Sequence, residues 1–301
     1  MAATAAQFAD FLEPKLSAIW HDAYNKYELK YPRVFNVIDM AKNTITDAEL
    51  GGFGGLQVQN DGSEVQFDDP LTPRTNTHTY DVRALAYRVH DRLIRNDLYG
   101  EVEKFEKDLV DASNDDAEQS AANVLINAFT TTNTGFDGLG LCSTAHTRLD
   151  GGSTQANRAS TDEALSMTAV KNALITGRKW KNHRGRPRAF KARFLVVPPD
   201  LMHTAYEIMD SEMDPETDNN TSNVVRNRFG MEEPLVWEYL TSTTGWFLQF
   251  DQSDLNFYWR FRPETSMQVD WRTDSVERKV RQGYVVGFNK WEGIFGSDGV
   301  A

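Results

Sequence analysis

Few residues in this chain could do chemistry, and their spacing decides most cases. The one cysteine, Cys142, stands close to His146 in Leu141-Cys142-Ser143-Thr144-Ala145-His146. A thiolate and an imidazole could form a covalent nucleophile, but such pairs usually come from separate elements that fix their geometry. A zinc site needs about four ligands at matched spacing, and no second Cys or His pair lies nearby. The expectation is a packed thiol and a hydrogen-bonded loop histidine. Gly135-Phe136-Asp137-Gly138-Leu139-Gly140 has the glycine spacing of a phosphate loop. Leu141, however, takes the place of the essential lysine, and no strand clearly precedes the loop. Asp210, Glu212, Asp214, Glu216 and Asp218 alternate as in a calcium loop. Pro215 occupies the sharp-turn position that needs glycine, and no glutamate closes the loop. A solvated acidic loop is expected, and no catalytic, cofactor or metal site.

The dense charge feature is basic. Arg178, Lys179, Lys181, Arg184, Arg186, Arg188, Lys191 and Arg193 follow one another with no acid between them. A contact with acidic neighbouring subunits ranks first, a solvated helix end complementing its dipole second, and a touchpoint for DNA third. The whole chain is acidic, with net charge -12 and pI about 5.0. That argues against a dedicated nucleic-acid binder, whose phosphate contacts need clustered Lys and Arg. Hydrophobic residues reach 40%, with 17 Phe and 7 Trp, while mean hydropathy is only -0.55. The combination suggests a globular protein that finishes its burial against copies of itself. An acidic soluble enzyme has a similar composition. A lone cysteine rules out an intrachain disulfide and suits a reducing compartment. No signal-peptide pattern opens the chain and no stretch is apolar enough to span a membrane, so synthesis in the cytosol is expected and no membrane partner.

The elements that must carry these residues can be read from periodicity. Phe8, Phe11, Leu12, Leu16, Ile19 and Tyr27 recur at helical spacing, interrupted by Pro14 and ended by Pro32. This predicts an arm carrying a helix rather than the start of a core. Gly51-Gly52-Phe53-Gly54-Gly55 marks a joint. Leu56-Gln57-Val58-Gln59 and Glu64-Val65-Gln66-Phe67 flank Asn60-Asp61-Gly62-Ser63. With Asp61-Gly62 as a type I′ turn, Leu56, Val58, Val65 and Phe67 share one face and glutamines the other. A second alternating run from Thr77 to Val89 completes a long β-arm. From Asn96 to Phe129 apolar residues recur every three or four positions, which favours one long, straight or bent helix of roughly 50 Å over two helices divided and capped at Ser113-Asn114-Asp115-Asp116. Another helix is predicted from Thr161 to Trp180, a buried strand over Phe194–Val197, a helix over Leu201–Met209, and mostly strands after Asn223.

Laid out in this order, the chain resembles the major capsid proteins of tailed phages with the Hong Kong 97-type fold, near the Mu-like major head subunit group. The patches that carry the resemblance are Arg95-Asn96-Asp97-Leu98-Tyr99-Gly100, residues 137–146, and Leu195-Val196-Val197-Pro198-Pro199-Asp200-Leu201. Tyr239-Leu240-Thr241, Trp246-Phe247-Leu248, Gly287-Phe288 and Gly296-Ser297-Asp298-Gly299 add to it. Their joint order is more specific than any one patch. The resemblance implies an α+β fold with an N-terminal arm at 1–50 and an extended E-loop at 51–92. It also implies a peripheral domain with a spine helix at 93–193, joined by strands from about 262–288. An axial domain at 194–261 and a C-terminal segment at 289–301 complete it. Many copies would form hexamers and pentamers of an icosahedral shell around double-stranded DNA, assembled in the host cytoplasm. The acidic balance would suit a wall that encloses DNA and contacts it only weakly. The partners implied are the chain itself, a portal protein, and a cement or decoration protein. Because the arm starts at once, any scaffold is expected to be a separate protein.

Two site assignments follow from that reading. Leu56, Val58, Asp61, Gly62, Val65 and Phe67 of the E-loop are expected at intersubunit contacts, with the basic tract from Arg178 to Arg193 at intersubunit or DNA contacts. The best-known shell of this fold joins an E-loop lysine to an asparagine of a neighbour. Here no lysine occurs between Lys42 and Lys104, and arginine cannot replace a nucleophilic amine, so non-covalent burial is expected instead. The competing readings are an encapsulin-type compartment with the same fold and enzyme cargo, and a cytosolic cysteine hydrolase using Cys142 and His146.

Overall fold

A computed structural model describes residues 5–62, 64–65, 67–96, 100–213, 222–270 and 272–299, and the side chains of all of these but 5–12, 91 and 95. Phe8, Phe11 and Leu12 therefore lie outside the described side chains. Ser63, Gln66, Asp97, Leu98, Tyr99, Asp214, Pro215, Glu216 and Asp218 lie outside the described residues altogether.

The chain opens with helix α1 (Ala5–Lys26), a short α2 (Tyr31–Val34), and strands β1 (Asn36–Asp39) and β2 (Thr44–Glu49). After a long loop come β3 (Arg74–Thr79), β4 (Asp81–His90), α3 (Asp91–Arg95) and the long α4 (Glu101–Ile126). Then follow α5 (Met167–Lys179), β5 (Ala192–Val197), α6 (Met202–Asp210), α7 (Val224–Phe229) and β6 (Leu235–Val236). β7 (Trp246–Phe250), β8 (Leu255–Asp270), β9 (Ser275–Phe288) and β10 (Ile294–Ser297) complete the chain. None of the described helices is long and apolar enough to cross a membrane.

Two compact units form. The first holds residues 1–45, 79–121 and 257–286. Its sheet has the order β1-β8-β9-β4, with β4 antiparallel to β9 from Asp81↔Tyr284 to His90↔Ser275. Helix α4 lines Glu106, Leu109, Val110 and Ser113 along its buried face, at the spacing of three and four residues that makes one stripe. Leu109 and Val110 pack with Val280 of β9 and with Trp20 of α1, while Leu16 joins Val89, Val102 and Val276. The first helix thus belongs to a core, where an arm rather than the start of a core was expected: Leu16 and Trp20, one turn apart, are each buried against the sheet and α4. A buried ion pair crosses this core. Arg278 of β9 donates to Glu106 from Nε at 3.2 Å and Nη2 at 3.0 Å, and the Tyr87 hydroxyl donates to the same carboxylate at 2.8 Å.

The second unit holds residues 46–78, 122–256 and 287–301. Its sheet has the order β10-β7-β5-β6, with β6 parallel to β5 and the other pairs antiparallel. Every residue of β7 is buried, so its Trp246-Phe247-Leu248-Gln249-Phe250 run carries no alternation. Helix α5 starts at the Ser166 cap, whose side chain accepts the Ala169 N–H at 3.0 Å. The helix therefore begins later than Thr161. Its Met167, Val170 and Leu174 share one cluster with Leu195, Val197, Trp246 and Phe250. That shared cluster is why residues 122–193 pack with 194–256 rather than with 93–121, a division different from the expected segments.

The proposed β-arm is the clearest difference. Residues 74–90 leave it: β3 pairs with β2, and β4 joins the first unit's sheet. None of the described residues between Leu50 and Pro73 is in a strand, although a turn does stand at Asp61-Gly62. Only Gly62 there has positive φ, at 79°, so the type I′ geometry is not adopted. A two-stranded ribbon with nothing covering its apolar face is marginal in water, and this one stays an extended loop.

Candidate assembly surface

The loop from Leu50 to Pro73 carries a run of uncovered apolar side chains. Leu56 is 104% exposed, Phe67 97% and Val58 91%, with Leu50, Phe53 and Val65 also exposed. Scattered surface leucines need no explanation, but six large apolar side chains on one loop mark a surface that something else covers. Asp61 and Gly62 stand at the tip, both exposed.

The root of this loop is well held. Asp68 on the returning side accepts the Gly54 N–H of the outgoing side. Gly51 packs so tightly on Leu71 that any Cβ there would collide with its side chain. Asn76 of β3 donates to the carbonyls of Thr134 and Phe288 at 3.2 and 3.3 Å, and His78 pairs with Asn289 at 2.8 Å. Below the loop, Glu49 meets His183 at 2.9 Å, with Glu49 4% exposed.

The basic tract does not act as one patch. Arg178 and Lys179 end α5 and are exposed, as are Lys181, Arg186, Arg188 and Lys191. Arg184 is turned inward: its guanidinium reaches the carbonyls of Gly52 (3.3 Å) and Asp69 (2.7 Å) and the carboxylate of Asp68 (3.3 Å). Arg188 donates to Gln252 at 2.7 Å and lies over the Phe190 ring, and Arg193 pairs with Glu232 at 3.2 Å. The tract is thus partly spent within the chain, which no count of charges could have revealed.

The residues that first suggested chemistry are packing groups. Cys142 is buried against Gly296, where a Cβ would come within 2.7 Å of its sulfur, and burial pushes its thiol well above the ordinary range. A thiol held neutral is a poor nucleophile. His146 is fully buried, stacked on Trp291 with ring centroids 4.5 Å apart. Its Nδ1 meets Asp137 at 2.6 Å and its Nε2 meets Asn157 at 3.0 Å. Burial pushes the Asp137 carboxyl upward. The His146 hydrogen bond and charge, the Leu139 N–H and Arg74 outweigh it and hold it below its usual value.

The glycines of 135–140 serve close approach. A Cβ on Gly135 would meet the Asn289 carbonyl at 2.8 Å, and one on Gly140 would overlap the Thr130 carbonyl. The loop's N–H groups are used internally: Gly135 donates to Leu139, Phe136 to Asn289 and Gly138 to Gly135. None of these three is left to cradle a phosphate. Among the described residues no group of three or more His, Cys, Asp or Glu could hold a metal ion.

The comparisons with known proteins agree with this geometry. A profile described as "Phage capsid protein" matches residues 44–296, most of the chain. The chain belongs to the phage capsid protein family. No curated protein matches it. Among solved structures, the capsid of a native GTA particle is similar at TM-score 0.61 and 9% identity, over 92% of this chain and 93% of that one. A virus-like particle from Pyrococcus furiosus is similar at TM-score 0.55 and 10% identity, over 94% and 98%. The capsid of bacteriophage JBD30 decorated with minor capsid protein trimers gives 0.56 and 14%, over 72% and 92%. At such identities the likeness speaks for the fold, and that fold is the Hong Kong 97-type capsid fold of tailed phages. The chain is a structural component of the virion capsid.

Proposed function

We propose that this capsid protein is the shell subunit that builds hexamers and pentamers of an icosahedral head enclosing double-stranded DNA, and that its 50–73 loop lies on neighbouring copies. The observation that carries the reading is the exposed stripe of Leu50, Phe53, Leu56, Val58, Val65 and Phe67 on a loop with a fixed root. Fully burying a large apolar side chain stabilises by about 1.5–3 kcal/mol, so the stripe can supply on the order of 10 kcal/mol per subunit before the loop's ordering entropy. Each contact is then multiplied by the symmetry of the shell.

Within the same reading, Leu56, Val58, Asp61, Gly62, Val65 and Phe67 contact the adjacent subunit. The exposed cations Arg178, Lys179, Lys181, Arg186 and Lys191 meet acidic surface on other copies, in keeping with the chain's net charge of -12. A portal protein, a separate scaffold and a cement protein are the remaining partners proposed; the JBD30 capsid carries such decoration as trimers of a minor capsid protein. A second reading of the same fold is a compartment loaded with protein in place of a genome. Nuclease-protected DNA in native particles separates the two.

The test is deletion of Gln57 to Gln66. The shortened chain should remain soluble and folded, with the tryptophan fluorescence of the parent, and form no closed shells. Normal shells from it would refute the role given to the loop.

A further inference from the structure

We infer that the turn from Lys181 to Arg186 is a clamp that sets the direction in which the assembly loop leaves the subunit, with Arg184 as its positioning residue. This rests on the reading of the 50–73 loop as an assembly element, and it assigns the inward-facing part of the basic tract a task within its own chain.

The turn is rigid before it grips anything. Asn182 accepts the N–H groups of both Arg184 and Arg186 on its side-chain oxygen, at 3.0 and 2.9 Å. Its backbone N–H donates to Arg186 at 2.9 Å, and its carbonyl accepts Gly185 at 2.9 Å. Gly185 has φ of 76°, a value that side chains with a Cβ adopt only under strain. Gln155 fixes the turn's base, accepting the Lys181 N–H at 2.6 Å and donating to the Lys181 carbonyl at 2.7 Å.

From this platform two side chains reach the loop root. His183 holds Glu49 at the end of β2, just before the loop begins. Arg184 bridges the outgoing and returning limbs: Gly52 lies on one, Asp68 and Asp69 on the other. A planar guanidinium can engage several acceptors at fixed angles, which one ammonium group cannot reproduce. Its side chain is 17% exposed, so these charge-assisted bonds are partly shielded from water. The glycines at 51, 52, 54 and 55 give the limbs little stiffness of their own. The Gly54–Asp68 bond and the Gly51–Leu71 packing hold the two limbs to each other, and Arg184 and His183 tie them to the subunit.

The test uses the full-length chain. Phe53, Leu56 and Phe67 are exposed chymotrypsin sites in the loop. Arg184→Ala should raise cleavage at these sites about tenfold, the order expected when charge-assisted bonds of a local element are lost. Its melting temperature should match the parent, and its shells should be few or malformed. Arg184→Lys should fall between the two, because it keeps the charge on Asp68 but not the bridge. Should Arg184→Ala fail to fold, Asn182→Ala, which removes the side-chain oxygen that shapes the turn, is expected to shift cleavage and assembly the same way. Normal shells from Arg184→Ala, with or without faster cleavage, beside a loop deletion that cannot assemble, would overturn the clamp alone. Normal shells from the deletion itself would overturn the loop reading and this one with it.

Discussion

Changing Glu106 to Gln should destabilise the first unit more than its modest chemistry suggests. The glutamine oxygen can still accept from Arg278, and its NH2 can donate to the Tyr87 hydroxyl, so shape and most hydrogen bonding survive. What disappears is the charge opposite a guanidinium that is 1% exposed, in a pair whose carboxylate is 0% exposed. Nη1 of Arg278 already lacks a hydrogen-bond partner among the described residues. Ser17 and Thr265, which receive Nη2 at 3.3 and 3.1 Å, are neutral. Removing one partner of a buried pair costs about 3–5 kcal/mol, because the other charge stays buried and uncompensated. Against the 5–15 kcal/mol total typical of proteins, that is a large share. With a urea slope of about 2–3 kcal/mol per molar, the midpoint should fall by about 1–2 M. Equilibrium unfolding followed by tryptophan fluorescence reads this directly. The double variant Glu106→Leu with Arg278→Met should recover much of the loss, since neither charge then remains. A midpoint shift below about 0.3 M for Glu106→Gln, or a double variant whose loss equals the sum of the singles, would refute the reasoning.

Three further outcomes are expected. Asp137 is depressed in the folded chain, so its stabilisation is present above the unfolded carboxylate pKa of about 4 and is lost as pH falls through the lower folded value. In urea titrations, Asp137→Asn should be weaker than the parent at pH 6, and the difference should narrow as pH falls below about 4 and through the lower folded value; a constant gap would contradict the pairing with His146. Gly140→Ala should cost about 2 kcal/mol or more, because its Cβ meets a backbone carbonyl that cannot rotate away. Unchanged thermal stability of that variant would count against the packing described. Particles boiled in SDS with reducing agent should run as a single band near 34.1 kDa, since the loop has no lysine to join to a neighbour; a ladder of larger species would show a cross-link elsewhere.

Much of the fold was legible where one physical signal dominated. The long helix was readable because a buried stripe repeats along it, and the buried strand at Ala192–Val197 because its apolar run ends at Pro198-Pro199. The position of the turn at Asp61-Gly62 was readable from its residues, but its type was not. The strands flanking it were not formed, since local alternation says which face would be apolar but not whether anything covers it. Leu16 and Trp20 pack against residues far away in sequence, so periodicity could locate the helix but not its place in a core. The partition of the basic tract was hidden for a similar reason. Arg184 is told apart from Arg186 only by the Asn182 turn and by the nearness of Asp68 and Asp69, which no spacing within 178–193 encodes. The root contacts of Asn76, His78 and Glu49 were missed because single polar residues in alternating strands carry no signal of their distant partners.

The most direct test of a shell-forming subunit is electron microscopy of the purified full-length protein under assembly conditions, alone and with added scaffold. Uniform closed shells tens of nanometres across are expected, made of one chain and lost when Gln57 to Gln66 are removed. A protein that stays monomeric or forms only small fixed oligomers in every condition would contradict the assembly reading.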